Sequence, residues 1–122
     1  SDLFQYLVGS VDGTLEKMSP ISWKNKSAVC IVLASKGYPE SYTKGDEIFG
    51  LGKAFDDAYV FHAGTKEQDK KIITNGGRVF GVTALGDTLE SAIKHAYGVT
   101  EKITWENKYL RTDIGKKGLT YL

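Results

Sequence analysis

Apolar positions first recur along the chain with a helical period, at Leu3, Phe4, Leu7, Val8 and Val11. That spacing puts them on one face of an α-helix. Asp2 ahead of the run and Gln5 three positions later form a capping-box pattern, and Gly13 supplies a stop. The period then shortens. Ile21-Ser22-Trp23 predicts a short strand with Lys24-Asn25-Lys26 as its turn. The run from Ala28 to Ala34 is continuously apolar and rich in β-branched residues, which predicts a central strand covered on both faces. Residues 35–47 are rich in Gly, Tyr and charge with no sustained period, so a long loop is expected there. The Tyr38-Pro39 step keeps Tyr38 out of the helical region, and the loop leaves the strand extended.

Three further strands are predicted over residues 59–65, 71–74 and 78–83, joined by turns at 66–70 and at Asn75-Gly76. Both residues of an Asn-Gly pair tolerate positive φ, which makes the pair a strong local signal for a tight hairpin. The economical arrangement is an antiparallel meander. Asp87-Thr88-Leu89-Glu90 repeats the capping-box pattern. It opens a helix with Leu89, Ala92, Ile93, Ala96, Tyr97, Thr100 and Ile103 on one face. Gly98 interrupts that helix at a cost of about 1 kcal/mol relative to Ala. Residues 105–114 hold one more short strand. The pattern predicts an α+β domain spanning 1–122, with a mostly antiparallel sheet and two covering helices.

At 122 residues the chain has the size of one ordinary domain. Such a domain buries roughly two-thirds of its unfolded surface and needs no disulfide or metal staple. Sixteen basic against fifteen acidic residues leave a net charge of +1. That balance gives no field for steering nucleic acid or an acidic membrane. The single cysteine, Cys30, sits in the apolar run and reads as a small buried hydrophobe in a reducing, cytoplasmic setting. His62 and His95 are far apart and not in ligand spacing, so no metal site is expected. No apolar run approaches the roughly twenty residues needed to span a bilayer. A start at Ser1, directly at a helix, fits either a mature protein or a domain of a longer one.

The chemistry-bearing candidates are few. Asn75-Gly76-Gly77-Arg78 combines glycines, which let a ligand approach the backbone, with a guanidinium that offers a planar fork of donors. It is either an anion-binding corner or a turn followed by a solvated arginine. His62, two residues before Gly64, either faces a cleft or is a half-buried histidine bonded to backbone. Lys36-Gly37-Tyr38-Pro39 sets an ammonium on a turn after a buried strand, where clefts form, or leaves it in solvent. Asp46 and Glu47 would point to opposite faces of a strand, against a shared acid/base or metal role. No Walker-type loop or dinucleotide fingerprint occurs.

Taken together, Leu33-Ala34-Ser35-Lys36-Gly37-Tyr38-Pro39, Val60-Phe61-His62-Ala63-Gly64-Thr65 and Thr74-Asn75-Gly76-Gly77-Arg78-Val79 resemble the C-terminal domain of phosphoribosylamine–glycine ligases of the ATP-grasp superfamily. Gly81-Val82-Thr83-Ala84-Leu85-Gly86-Asp87-Thr88-Leu89 and Arg111-Thr112-Asp113-Ile114-Gly115 continue the match. The resemblance implies a hybrid-motif, barrel-like sheet. It also implies a role in joining 5-phosphoribosylamine and glycine with ATP and Mg²⁺ or Mn²⁺, in de novo purine synthesis. The ATP cradle and the metal ligands would lie in domains upstream of Ser1, with no catalytic residue in this chain and no cofactor bound to it alone. Upstream domains of the same polypeptide and the two small substrates are the implied partners, with no nucleic acid and no membrane.

Lys36, Gly37, Tyr38, Pro39, His62, Gly64, Asn75, Gly76, Gly77 and Arg78 are the implied wall of the substrate cleft. Three departures stand out. Glu40 replaces a common Gly, where positive φ would strain it. Phe80 replaces a common Leu, and Leu110 replaces a frequent aromatic. The competing reading is a non-catalytic binding module. A carrier of that kind needs a lysine at an exposed hairpin tip, and the expected tip, Asn75-Gly76, has none.

Overall fold

Side chains of a strand alternate between two faces, and β1 (Ser27–Ser35) buries only one of them. Val29, Ile31 and Leu33 are buried, whereas Ala28, Cys30 and Val32 are exposed. The expectation of a strand covered on both faces, with Cys30 in the core, is therefore corrected. The reason is that, among the described residues, one layer lies against the sheet. The computed structural model describes residues 1–52 and 54–121.

The main sheet is antiparallel, in the order β2-β5-β1-β6, formed by β1 with β2 (Ala58–His62), β5 (Arg78–Gly86) and β6 (Lys108–Tyr109). Its register sets Ile31 opposite Val82 and Val82 opposite Val60, so the core row runs across three strands. On the other face, Cys30, Thr83 and Tyr59 share a row, as do Val32, Gly81 and Phe61. A second sheet is the hairpin of β3 (Thr65–Gln68) and β4 (Lys71–Thr74). The sheet does not close into a barrel, since β2 and β6 remain its edges. The α+β class and the antiparallel pairing are as predicted.

The meander is corrected as well. β4 does not pair with β5. It pairs with β3, and through Ile48 N–H to Ile72 O (2.9 Å) and Thr74 N–H to Asp46 O (2.9 Å) it pairs with the end of the long loop. β5 instead pairs with β1 and β2. Asn75-Gly76 is thus a crossing between sheets, and neither residue has positive φ. The tight turn lies one step earlier, at Asp69 (φ 51°) and Lys70 (φ 62°), both left-handed as a two-residue hairpin requires. The exposed hairpin tip therefore does carry a lysine.

One layer covers the core face. α2 (Leu89–Thr100) starts at Thr88, whose Oγ1 accepts from Ser91 N–H at 3.1 Å while Ser91 Oγ accepts from Thr88 N–H at 3.0 Å. The box is thus one residue later than predicted. Ala92 and Ala96 are fully buried, and these small side chains let the helix lie close on Ile31, Leu33 and Val82. At its end, Lys108 Nζ donates to Thr100 O (2.5 Å) and Ile103 O (2.7 Å), serving carbonyls a helix leaves open. Burial pushes the Lys108 ammonium pKa down, with partial opposition from Glu101.

α1 (Leu3–Asp12) does not cover the sheet, against expectation. It is capped by Asp2, whose Oδ1 accepts from Phe4 N–H at 3.0 Å, and by Gly13 at φ 68°. It packs on the short 3-10 turn Leu15–Lys17. Residues 21–23 form no strand; Ser22 is instead tied to the chain start, its O accepting from the Ser1 ammonium (2.9 Å) and its N–H donating to Ser1 Oγ (2.8 Å). No helix among the described residues is long and apolar enough to cross a membrane.

Candidate functional site

The open face of the sheet and the ends of β1, β2 and β5 enclose a cleft of about 590 Å³. Tyr38, His62, Gly64, Gly77 and Arg78 line it, together with Val32, Phe61, Ala63, Phe80 and Gly81. Tyr38 and Arg78 also line an adjoining trough of about 310 Å³, whose far wall is Tyr109, Leu110, Arg111 and Ile114. The two hollows share the partition made by Tyr38, Arg78 and Val32.

Three close crossings build this wall. Ser35, the last residue of β1, is fully buried. It donates from its N–H to Gly77 O (2.8 Å) and from Oγ to Gly76 O (3.1 Å), and its own carbonyl accepts from Tyr38 N–H (3.1 Å). Gly64 N–H donates to Arg78 O (2.8 Å), and Asn75 N–H donates to Gly64 O (2.7 Å). The glycines serve proximity, not unusual φ. A Cβ at Gly64 would lie 2.7 Å from Gly76 Cα, and one at Gly77 would lie 1.9 Å from the Tyr38 ring. Gly37 is the exception, with φ 96°.

Five of the ten sequence candidates thus meet in one cleft. The others do not line it. Lys36 is exposed, and its backbone N–H is engaged by Asn107 O at 2.8 Å. Gly37 and Pro39 shape the turn, Pro39 through a cis bond from Tyr38. Asn75 is exposed, and Gly76 packs beneath Gly64. Glu40 is unstrained, with no positive φ and its N–H bonded to Gly37 O at 2.9 Å. His62 is exposed rather than half-buried. Its Nδ1 lies 2.9 Å from Thr65 Oγ1, and its ring meets Phe80 edge-on at 4.9 Å.

Sequence reasoning missed Phe61, Val32 and Gly81, which register alone brings together, and the wall at Tyr109 to Arg111. The alternation Tyr59-Val60-Phe61 was the available signal for the first group.

Chemically, the cleft offers one guanidinium and an apolar floor. Among the described residues, Arg78 has no carboxylate partner, whereas Arg111 is held bidentately by Asp113 at 2.9 and 2.6 Å. The amides of Gly76 and Gly77 have no protein acceptor among the described residues. The free fork of donors on Arg78 suits an oxyanion. No nucleophile–base pair lines the cleft, and no group of three His, Cys, Asp or Glu residues that could hold a metal ion occurs among the described residues.

The chain is 50% identical over 118 residues to the phosphoribosylamine–glycine ligase of Synechocystis, covering 96% of this chain and 28% of that protein. It is 42% identical over 117 residues to a bifunctional purine biosynthetic protein of Pichia angusta, covering 96% of this chain and 15% of that protein. Among solved structures, the phosphoribosylamine–glycine ligase of Thermotoga maritima matches with a TM-score of 0.71 and 40% identity, over 87% of this chain and 27% of that one. The chain therefore spans between about one-seventh and just over a quarter of these relatives. The family model described as "Phosphoribosylglycinamide synthetase, C domain" matches residues 28–117, which hold all of β1 but Ser27, β2 to β6, α2 and the whole cleft. The chain belongs to the phosphoribosylglycinamide synthetase C-domain family.

Proposed function

We propose that this chain is the C-terminal domain of a cytoplasmic ligase that joins 5-phosphoribosylamine to glycine with hydrolysis of ATP, and that its cleft forms part of the substrate wall. The observation that carries the reading is the convergence of Tyr38, His62, Gly64, Gly77 and Arg78 on one hollow of the open sheet face. These residues do not suit the nucleotide or its metal. The cleft has one cation, no phosphate loop and no carboxylate cluster, so ATP and Mg²⁺ belong to the preceding region of the longer polypeptide.

Within that division, Arg78, with the adjacent Gly77 backbone N–H, holds an anion. The candidates are the glycine carboxylate, its acyl phosphate or the phosphate of phosphoribosylamine. A fixed cation beside developing phosphoryl charge lowers the barrier as well as binding the substrate. Arg78→Lys in the longer polypeptide tests this, because lysine keeps the charge and loses the fork. We expect ligase kcat/KM to fall about 10- to 100-fold, the loss of one or two charge-assisted bonds. Unchanged kcat/KM would remove Arg78 from the site.

A non-catalytic carrier module remains the second reading, and Lys70 at the β3–β4 tip is the observation in its favour. Intact-mass measurement of the native protein distinguishes them. An unmodified Lys70 with ligase activity in the longer polypeptide excludes the carrier.

A further inference from the structure

Residues 1–26 fold on themselves. Tyr6 Oη donates to Ser19 O at 2.9 Å, Thr14 N–H donates to Gly9 O at 2.8 Å, and Met18 sulfur lies 2.7 Å from where a Cβ at Gly9 would sit. The side of α1 carrying Tyr6 and Gly9 thus holds the segment that follows. The apolar stripe is on the other side and faces solvent. Leu7 is 57% exposed and Val11 86%, with Leu3, Phe4 and Val8 also exposed. An amphipathic helix whose apolar side meets water lacks the surface it is patterned for.

Two observations say what that surface is. The Synechocystis relative aligns over 96% of this chain, so it carries this helix too, and this chain accounts for only 28% of its length. The family match begins at residue 28 and leaves α1 outside.

We propose that α1 is the closing element of the neighbouring folding unit of the longer polypeptide. Its stripe completes that unit's apolar core, and residues 24–26 are the junction between the two units. This rests on the reading of the chain as one domain of a longer ligase, and it replaces the single-domain expectation for 1–122. A second copy of the chain is the weaker occupant. A ten-residue helix is about 15 Å long, too short a stripe to supply the roughly 800 Å² per partner of a stable dimer. A covalently continuous element meets no such threshold.

Amide hydrogen exchange on the chain alone and on the polypeptide that includes its preceding region tests the assignment. In the longer polypeptide, α1 amides are expected to exchange at least 100-fold more slowly than in the chain alone, while β1 and β5 exchange alike in both. Leu7→Ser with Val11→Ser should abolish that protection and leave melting of the chain alone unchanged. Equally fast α1 exchange in both forms would overturn the proposal. So would slow α1 exchange in the chain alone accompanied by a dimer in size-exclusion chromatography. A parallel ligase assay separates the two readings. Protected α1 without activity removes the ligase function and leaves the docking, and activity with unprotected α1 does the reverse.

Discussion

Ser35 Oγ donates to Gly76 O at 3.1 Å, joining the end of β1 to the crossing that leads into β5. With Ser35 N–H on Gly77 O, the bond fixes the corner that presents Arg78. Ser35→Ala should therefore cost about 1 kcal/mol, a typical net hydrogen bond, and lower Tm by a few degrees. In the longer polypeptide it should also lower ligase kcat/KM more than a mutation of equal stability cost on α2 does. Equal losses from the two would make Ser35 merely structural.

Gly77 is where a side chain meets the Tyr38 ring, at 1.9 Å from an added Cβ. Gly77→Ala should push Tyr38 off the partition and destabilise the chain by about 1–3 kcal/mol, the range for overpacking. Adding Tyr38→Ala should return part of that loss. Denaturant melts of the two single variants and the double would show the coupling. Simple additivity would mean the ring does not limit the site.

Gly98 stands inside α2 with open space around an added Cβ and no left-handed φ. Gly98→Ala should stabilise the chain by up to about 1 kcal/mol through helix propensity, seen as a rise of a few degrees in Tm. A fall would show that the backbone there needs the freedom of glycine.

Lys26 and Asp57 form an ion pair of 2.6 Å ahead of β1 and β2. The hydrogen bond from Lys26, and then its charge, hold the Asp57 carboxyl below its ordinary value of 3.8. A carboxylate lowered by folding contributes stability that is present above pH 3.8 and lost as pH falls through the lowered folded value. Asp57→Asn should make the acid limb of the Tm–pH curve shallower below about pH 4, the ordinary carboxylate range. The pair is exposed, so the effect is small and shrinks with salt. An unchanged acid limb would assign that limb to other carboxylates.

Cys30 lies on the open face of the sheet. A thiol reagent should modify it fully in the native chain without denaturant. Labelling that needs unfolding would place another layer over that face.

Helix α2 was legible because its apolar face repeats over three turns and is matched by a buried layer within the same chain. Pairing partners were not. Asn75-Gly76 satisfies every local rule for a hairpin, yet β4 finds its hydrogen bonds in β3 and in Asp46 and Ile48, which no local pattern specifies. Asp69-Lys70, inside the stretch 66–70 expected to turn, makes the tight hairpin, Asp for its tolerance of left-handed φ. Cys30 was misplaced for a related reason, since an apolar run does not say whether the chain covers one of its faces or both. In the cleft, Tyr38, His62 and Arg78 were visible as residue types in motifs. Phe61 and Val32 reach it only through the register of β2 and β1 on β5.

Gly64 and Gly76 cross with their backbones nearly touching, so the small sheet is clamped to the large one without a hinge. A ligand arriving at the cleft meets a surface whose ordering was completed when the chain folded, with little freedom left to surrender on binding. Whatever binds here must match the cleft in the shape the folded chain already gives it.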